Sequence, residues 1–314
     1  MAACGQCTIG FMPSSSGWLV AGVLPLIVIG IVVAGVNGCR PAHTPPDSRP
    51  APPPPRIVSL SPALTRTLVD LGLEDHIVGR TEFSRSVDSQ ITVVGNLFEL
   101  DYERLIRLQP THVFVQPAAG GVDKQLHRLC RSRGWELGQW KINTIHDIQR
   151  TIRELPLAVF SANDSRRAGA TRRAAELLDA IAHALSPPQE ELWGGSTLLV
   201  ADTEPVLAFG RRTYLHDCLV ALGGRNAVEA VGWVELSLED VVRLDPAAII
   251  LVRDRRPADA ATPDRVLAKL DIAAVRNGRI EVLFHPDATL PSSSVIGVAG
   301  ELRRVLQELR EPGP

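Results

Sequence analysis

Aromatic side chains are scarce in this chain of 314 residues. They make up 4% of it, with only two tyrosines, so an aromatic-lined pocket must use most of the few available. No G-x-S-x-G turn is present to raise a nucleophilic serine. No G-x-x-x-x-G-K-S/T loop is present to cradle a nucleotide. The eight histidines never fall as H-x-x-x-H or H-x-H, which argues against a dedicated zinc site. The stretch "FGRRTYLHDCLVALGG" lacks the dinucleotide fingerprint, and its paired Gly223 and Gly224 read as a helix stop. Ser292 to Ser294 read as helix caps. Lys and Arg form no run, and a formal net charge of −2 gives no reason to expect nucleic acid as a partner. No catalytic residue, metal ligand or cofactor emerges.

Charge is missing altogether from Met1 to Gly38. Within that stretch, "WLVAGVLPLIVIGIVVAGV" (18–36) is long enough to span a bilayer. It runs into "VNGC", with Cys39 behind a small residue. An apolar segment followed by such a cysteine resembles a bacterial lipoprotein signal, in which the thiol is lipidated. The other reading is an uncleaved single-span anchor. Either places the folded part outside the cytoplasm. Residues 1–39 are assigned to this segment, and a start at Met12 would add no charge. The prolines of 40–55 favour extended polyproline II and form a tether. Cys4 and Cys7 precede the apolar span without a second pair, so a zinc site there is not expected. Cys130 and Cys218 fall in predicted helices and are expected as buried free thiols, a disulfide between them remaining the alternative.

The length suggests about two domains. After the tether, apolar strands alternate with helices: "RIVSL", then a helix over 62–72 opened by Pro62, then "HIVGR" and "ITVVG". A helix at 101–108 leads to "THVFVQ", one at 121–134 to "WELGQW", and "TIHDIQRTIREL" closes a first lobe over 56–160. The stretch 163–185 predicts one long connecting helix within 161–188, capped by Asn163 or Asp164, with Leu177, Leu178, Ile181 and Leu185 at helical spacing. The alternation resumes over 189–314 with "STLLVAD", "VLAFG", "AAIILV" and "RIEVLF" as strands. Such alternation predicts α/β lobes with parallel sheets covered on both faces.

One unit occurs twice. "DYERLIRLQPTHVFV" (101–115) and "SLEDVVRLDPAAIIL" (237–251) share x-x-E-x-[L/V]-[I/V]-R-L-x-P followed by an apolar run. Each predicts a short helix feeding a buried strand through a proline turn. A carboxylate in the first helical turn is favoured by the helix dipole at roughly 0.3–1 kcal/mol, which alone accounts for a glutamate there.

These segments, with "RIVSLSPALTRTLVDLGLEDHIVGRTEFS" and "VLFHPDATLPSSSVIGVAGELRRVL", resemble substrate-binding proteins of ABC importers. The resemblance is to the class with two α/β lobes and a rigid helical backbone, and within it to the vitamin B12 (corrinoid) binding members. It covers roughly Arg56 to Leu309. It implies two Rossmann-like lobes joined by one long helix, and a monomer that binds a small molecule in the cleft between them. It also implies delivery of that ligand to a dimeric ABC permease without catalysis. Glu103 and Glu239 match the glutamates, one per lobe, that dock on permease arginines. Phe83 matches a tyrosine that lies against the ligand and Trp233 a cleft tryptophan. Phe98 and His285 fall near further tryptophans. Ser61 and Pro62 form the first strand-to-helix turn facing the cleft, and Gln116 ends a strand at its rim. The cargo implied is cobalamin or another corrinoid. Haem or a ferric siderophore on the same scaffold remains open, with Arg80, Arg211 and Tyr214 as candidates for the latter. An extracytoplasmic corrinoid- or metal-handling enzyme or chaperone centred on His285 is the alternative of a different class.

Overall fold

The computed structural model describes residues 53–95, 99–255 and 266–310, all within one compact unit. The apolar segment at 18–36, Cys39, most of the tether and Phe98 lie outside the described residues. Among the described residues no helix is long and apolar enough to cross a membrane.

The first lobe is a five-stranded sheet of β1 (Ile57–Ser59), β2 (Ile77–Arg80), β3 (Thr92–Val93), β4 (His112–Val115) and β5 (Glu136–Gln139). Its order is β3-β2-β1-β4-β5, with every pair parallel. The crossovers carry α1 (Pro62–Asp70), α2 (Tyr102–Leu108) and α3 (Lys124–Arg133). Pro62 opens α1 behind the Ser61 cap, where its missing N–H costs nothing. Successive strand residues point to opposite faces. Ile57 and Phe114 join one core cluster, Val58, Val113 and Val115 another.

Two helices, α4 (Ile145–Val159) and α5 (Ser165–Ala184), join the lobes. The first runs past Leu155, where the sequence pattern had closed it, because the buried Pro156 sits inside it without breaking it. Proline forfeits a backbone bond there, and the helix ends one turn later. The long connecting helix is as expected, with Asp164 as its cap.

The second lobe contains β6 (Ser196–Thr203), β7 (Val206–Phe209), β8 (Arg225–Asn226), β9 (Trp233–Leu236), β10 (Ala248–Arg253) and β11 (Ile280–Phe284). Its helices are α6 (Tyr214–Ala221), α7 (Leu238–Leu244), α8 (Ala273–Arg276) and α9 (Val295–Arg310). The order is β11-β10-β6-β7-β9, with β8 paired to β6. β11, β10 and β6 run parallel as predicted. β7 is antiparallel to both β6 and β9, because only a short connection separates β6 from β7, and a parallel partner needs a long crossover.

The faces of both sheets feed one shared core. Ile57, Phe114, Leu199, Phe209, Ile250 and Leu283 belong to the same cluster, completed by side chains of α4, α5 and α9. Each sheet's other face has a cluster of its own. Cys130 and Cys218 are buried and unpaired, and burial pushes the Cys130 thiol up to about 11.

The repeated unit is a structural repeat. α2 and α7 are each seven residues long. Asp101 and Ser237 cap them, accepting from Arg104 N and Asp240 N. Both end on a left-handed non-glycine residue, Gln109 at φ 45° and Asp245 at φ 38°. A buried proline then turns each chain into β4 or β10.

Candidate ligand-binding cleft

A cleft of about 760 Å³ lies between the lobes. Its first-lobe wall sits where the sheet order reverses, between β1 and β4, the position at which open α/β sheets leave a crevice outside their carboxyl ends. Ser61 follows β1 and Gln116 follows β4. The Ser61 hydroxyl donates to Gln116 Oε1 at 3.0 Å, and Gln116 Nε2 donates to the Ile142 carbonyl at 3.2 Å. The glutamine amide is therefore held at both ends. Pro62 and the segment Lys141–Thr144 after β5 complete this wall.

The second-lobe wall is aromatic. Phe209 at the end of β7 is fully buried and packs its ring 4.2 Å from that of Trp233 at the start of β9. Tyr214 stands edge-on to Phe209 at 6.3 Å. Trp233 is 48% exposed and Val231 65% exposed, so the stack grades from core to open apolar surface. Thr289, Leu290 and Pro291, beyond β11, close this side.

Charge in the cleft is uneven. Among the described residues, Lys141, Arg150 and Arg212 line it against one carboxylate, Asp147. Asp147 is already committed: it forms the capping box of α4 with Thr144 and pairs with Arg150 at 2.9 Å. Burial pushes its carboxyl up, but the donors of Asn143 and Thr144 and the Arg150 charge outweigh this and hold it below the usual carboxylate range.

Ser61, Pro62, Gln116 and Trp233 thus meet in one cleft. Phe83 is 57% exposed and lines an adjoining depression of about 330 Å³ that shares Pro62, Thr289 and Leu290 with the cleft. Its loop is held by buried hydroxyls, Thr65 to Ser84 at 3.0 Å and Ser84 to Thr81 at 2.9 Å. Beside Phe83, Arg85 and Asp254 pair across the lobes at 3.5 Å.

The structure does not bring His285 to the cleft. It lines a separate cavity of about 400 Å³ with Arg66, Asp70 and Ser293. Its Nδ1 accepts from the Asp287 N–H at 3.1 Å, and burial lowers its pKa. The physical reason is the turn after β11: the Ala288 carbonyl is anchored by the Tyr214 hydroxyl, which sends the later residues 289–291, not His285, to the cleft. The three siderophore candidates are also occupied elsewhere. Arg80 donates to four backbone carbonyls of its own loop. Arg211 pairs with Glu229 at 3.5 Å. Tyr214 lines the cleft, but its hydroxyl is spent on Ala288, and burial raises its pKa well above the usual value. Lys141, Arg150 and Arg212 take the places that sequence reasoning had given to these residues. The signal in sequence was weak, since Lys141 and Arg212 sit in polar connecting segments and Arg150 is one of several charged residues on α4.

Glu103 and Glu239 occupy equivalent exposed positions in the first turns of α2 and α7. Their neighbours are paired, Asp101 with Arg104 at 3.0 Å and Asp240 with Arg243 at 2.9 Å. The two glutamates have no ion pair or side-chain hydrogen bond among the described residues.

The family model described as periplasmic binding protein matches residues 57–284, which include both lobes and the cleft. The chain belongs to the periplasmic binding protein family. It is 24% identical over 208 residues to the uncharacterized ABC transporter substrate-binding lipoprotein YvrC of Bacillus subtilis, a match covering 63% of each chain. The fold is similar to that of the apo periplasmic haem-binding protein RhuT from Roseiflexus sp. RS-1. That likeness has a TM-score of 0.65 and 20% identity, and covers 82% of this chain and all of the other. It is also similar to the periplasmic vitamin B12-binding protein BtuF of Vibrio cholerae, with a TM-score of 0.63 and 19% identity, covering 82% and 99%. This periplasmic binding protein therefore has the two-lobe fold with a helical backbone that its sequence predicted.

Proposed function

We propose that this periplasmic binding protein captures a metal chelate outside the cytoplasm and hands it to an ABC importer, and that its cargo is a corrinoid. One observation carries the choice of ligand. Among the described residues lining the cleft there is no histidine, cysteine or methionine, and the one tyrosine hydroxyl is already bonded to Ala288. Iron in haem keeps axial positions that a protein side chain fills. A corrinoid brings its own axial groups and asks only for shape, apolar surface and polar contacts. The exposed faces of Trp233, Val231 and Phe83 suit a broad macrocycle, and the fixed amide of Gln116 suits a peripheral amide. A ferric hydroxamate, likewise coordinatively complete, is the second reading, favoured by the cationic side of the cleft.

In this reading the protein binds and releases its ligand unaltered. The enzyme or chaperone alternative loses its centre, because His285 faces another cavity. Glu103 and Glu239 dock on cations of the two permease subunits. Opposite charges at such a rim act mainly on association rate and register. The segment 1–39 holds the protein to the membrane, through a lipid on Cys39 or as an anchor. Residues 40–55 keep the lobes off the surface, and the receptor works as a monomer.

The test is calorimetric titration of the purified full chain with cyanocobalamin, haemin and a ferric hydroxamate. One-to-one binding of cyanocobalamin that returns intact supports the proposal. Binding of haemin alone would discard the corrinoid and keep the receptor. Chemical conversion of the probe would sink the receptor reading.

A further inference from the structure

Two cations line the cleft from opposite lobes without partners. Lys141 follows β5, and Arg212 stands just before Thr213, the cap of α6. Both are exposed. Neither makes an ion pair or a side-chain hydrogen bond among the described residues. The other arginines around the cleft are engaged: Arg150 with Asp147, Arg85 with Asp254, and Arg211 with Glu229. Among the described residues lining the cleft the one carboxylate, Asp147, is consumed by a capping box and by Arg150, so none of them neutralises Lys141 or Arg212.

Arg212 is also set in place by its backbone. It has φ 60°, the left-handed region that costs a non-glycine residue free energy and persists only where neighbours over-determine it. They do so here. Gly210 N donates to Gly232 O and Arg211 N to Ala230 O, at 2.9 and 2.7 Å. The Thr213 hydroxyl donates to Gly210 O at 2.8 Å.

Resting on the receptor reading and deepening it, the geometry points to an anionic oxygen group on the ligand, a phosphate or a carboxylate, gripped by Lys141 from one lobe and Arg212 from the other. Hydrogen bonds between ionised partners are short and strong. Arginine offers a fork to such a group and lysine a compact point charge. A neutral ligand filling the cleft would strip water from both cations and return nothing. Because the two come from different lobes, the anion also ties the lobes together across the ligand.

The experiment is calorimetry of the full chain in detergent at low and high salt with three probes. Cyanocobalamin carries a phosphodiester, dicyanocobinamide lacks it, and haemin carries carboxylates. Lys141→Gln and Arg212→Gln are measured beside the wild type, with Arg212→Lys as the variant that keeps the charge. The expected result is at least about tenfold tighter binding of an anionic probe than of cobinamide, weakening with salt. Each glutamine variant should lose about tenfold on that probe alone, and Arg212→Lys should recover part of it. Preference for cyanocobalamin identifies a phosphate, and preference for haemin a carboxylate. If both glutamine variants bind whatever the wild type binds with unaltered affinity, the inference falls and the receptor reading stands. Binding of no probe overturns both.

Discussion

The ring of Phe209 lies 4.2 Å from that of Trp233 and tilts 45° to it, one ring fully buried and the other half in solvent. The pair anchors an exposed aromatic surface on the core of the second lobe. Removing the outer ring should therefore affect ligand and fold unequally. Trp233→Ala is expected to weaken cyanocobalamin binding by up to about tenfold, as loss of an aromatic contact of ~0.5–1.5 kcal/mol implies. The unfolding midpoint should move little, since half of the side chain was already exposed. Calorimetry and thermal unfolding of the same preparation check the two halves. A large fall in stability with unchanged affinity would place Trp233 in the core instead.

Tyr214 poses the opposite case. Its hydroxyl supports the Ala288 carbonyl inside the protein. Tyr214→Phe should lower stability by about 1–2 kcal/mol, the cost of an orphaned buried acceptor, measurable by urea denaturation. If the phenol instead ligated bound iron, the variant would lose an iron-phenolate absorbance band on adding haemin. We expect no such band in the wild type.

Reversing the charge of Glu103 and Glu239 together, to lysine, should leave ligand affinity near wild type and lower stability by about 1–2 kcal/mol, the loss of two favourable first-turn carboxylates. Uptake of labelled cyanocobalamin through the cognate permease should be lost. Each single reversal should slow uptake, more so at low salt. Undiminished uptake by the double variant would refute docking through these residues.

Asp217 accepts from the Ile145 N–H at 3.0 Å, joining α6 to the start of α4. Burial raises its pKa above the ordinary value. The folded protein therefore holds this proton to a higher pH than the unfolded chain, whose aspartates release it near ~3.9. Stability from this group is present below that unfolded value and is lost as pH rises through the folded one. Asp217→Asn keeps an acceptor for Ile145 without the charge. Its advantage over wild type in thermal unfolding should be larger at pH 7 than at pH 4. An advantage that shrinks as pH rises would contradict this assignment.

Much of this was legible in the sequence, for local reasons. The repeat at 101–115 and 237–251 announced two equivalent helix-to-strand units because caps, periodicity and the proline turn all lie within fifteen residues of chain. The Ser61–Pro62 turn was visible by the same logic. β9 was not legible: Trp233–Leu236 is a short edge strand with alternating exposure, and only its pairing with β7 defines it. His285 was misplaced because the path after β11 depends on the bond between the Tyr214 hydroxyl and the Ala288 carbonyl, two residues 74 positions apart. Lys141 and Arg212 were passed over because what distinguishes them is the lack of a partner, which depends on where every neighbouring carboxylate points.

The shared core has a consequence for how loading can be announced. Phe114 and Leu199, from different sheets, belong to one apolar cluster. Swinging the lobes apart would bare that cluster to water at about 25 cal/mol per Å², with no ligand contact to offset it. The shared core therefore acts as a stiff joint between the lobes. What can yield to a ligand without baring that core is the edge of the cleft: the exposed Phe83 and the Arg85–Asp254 bridge.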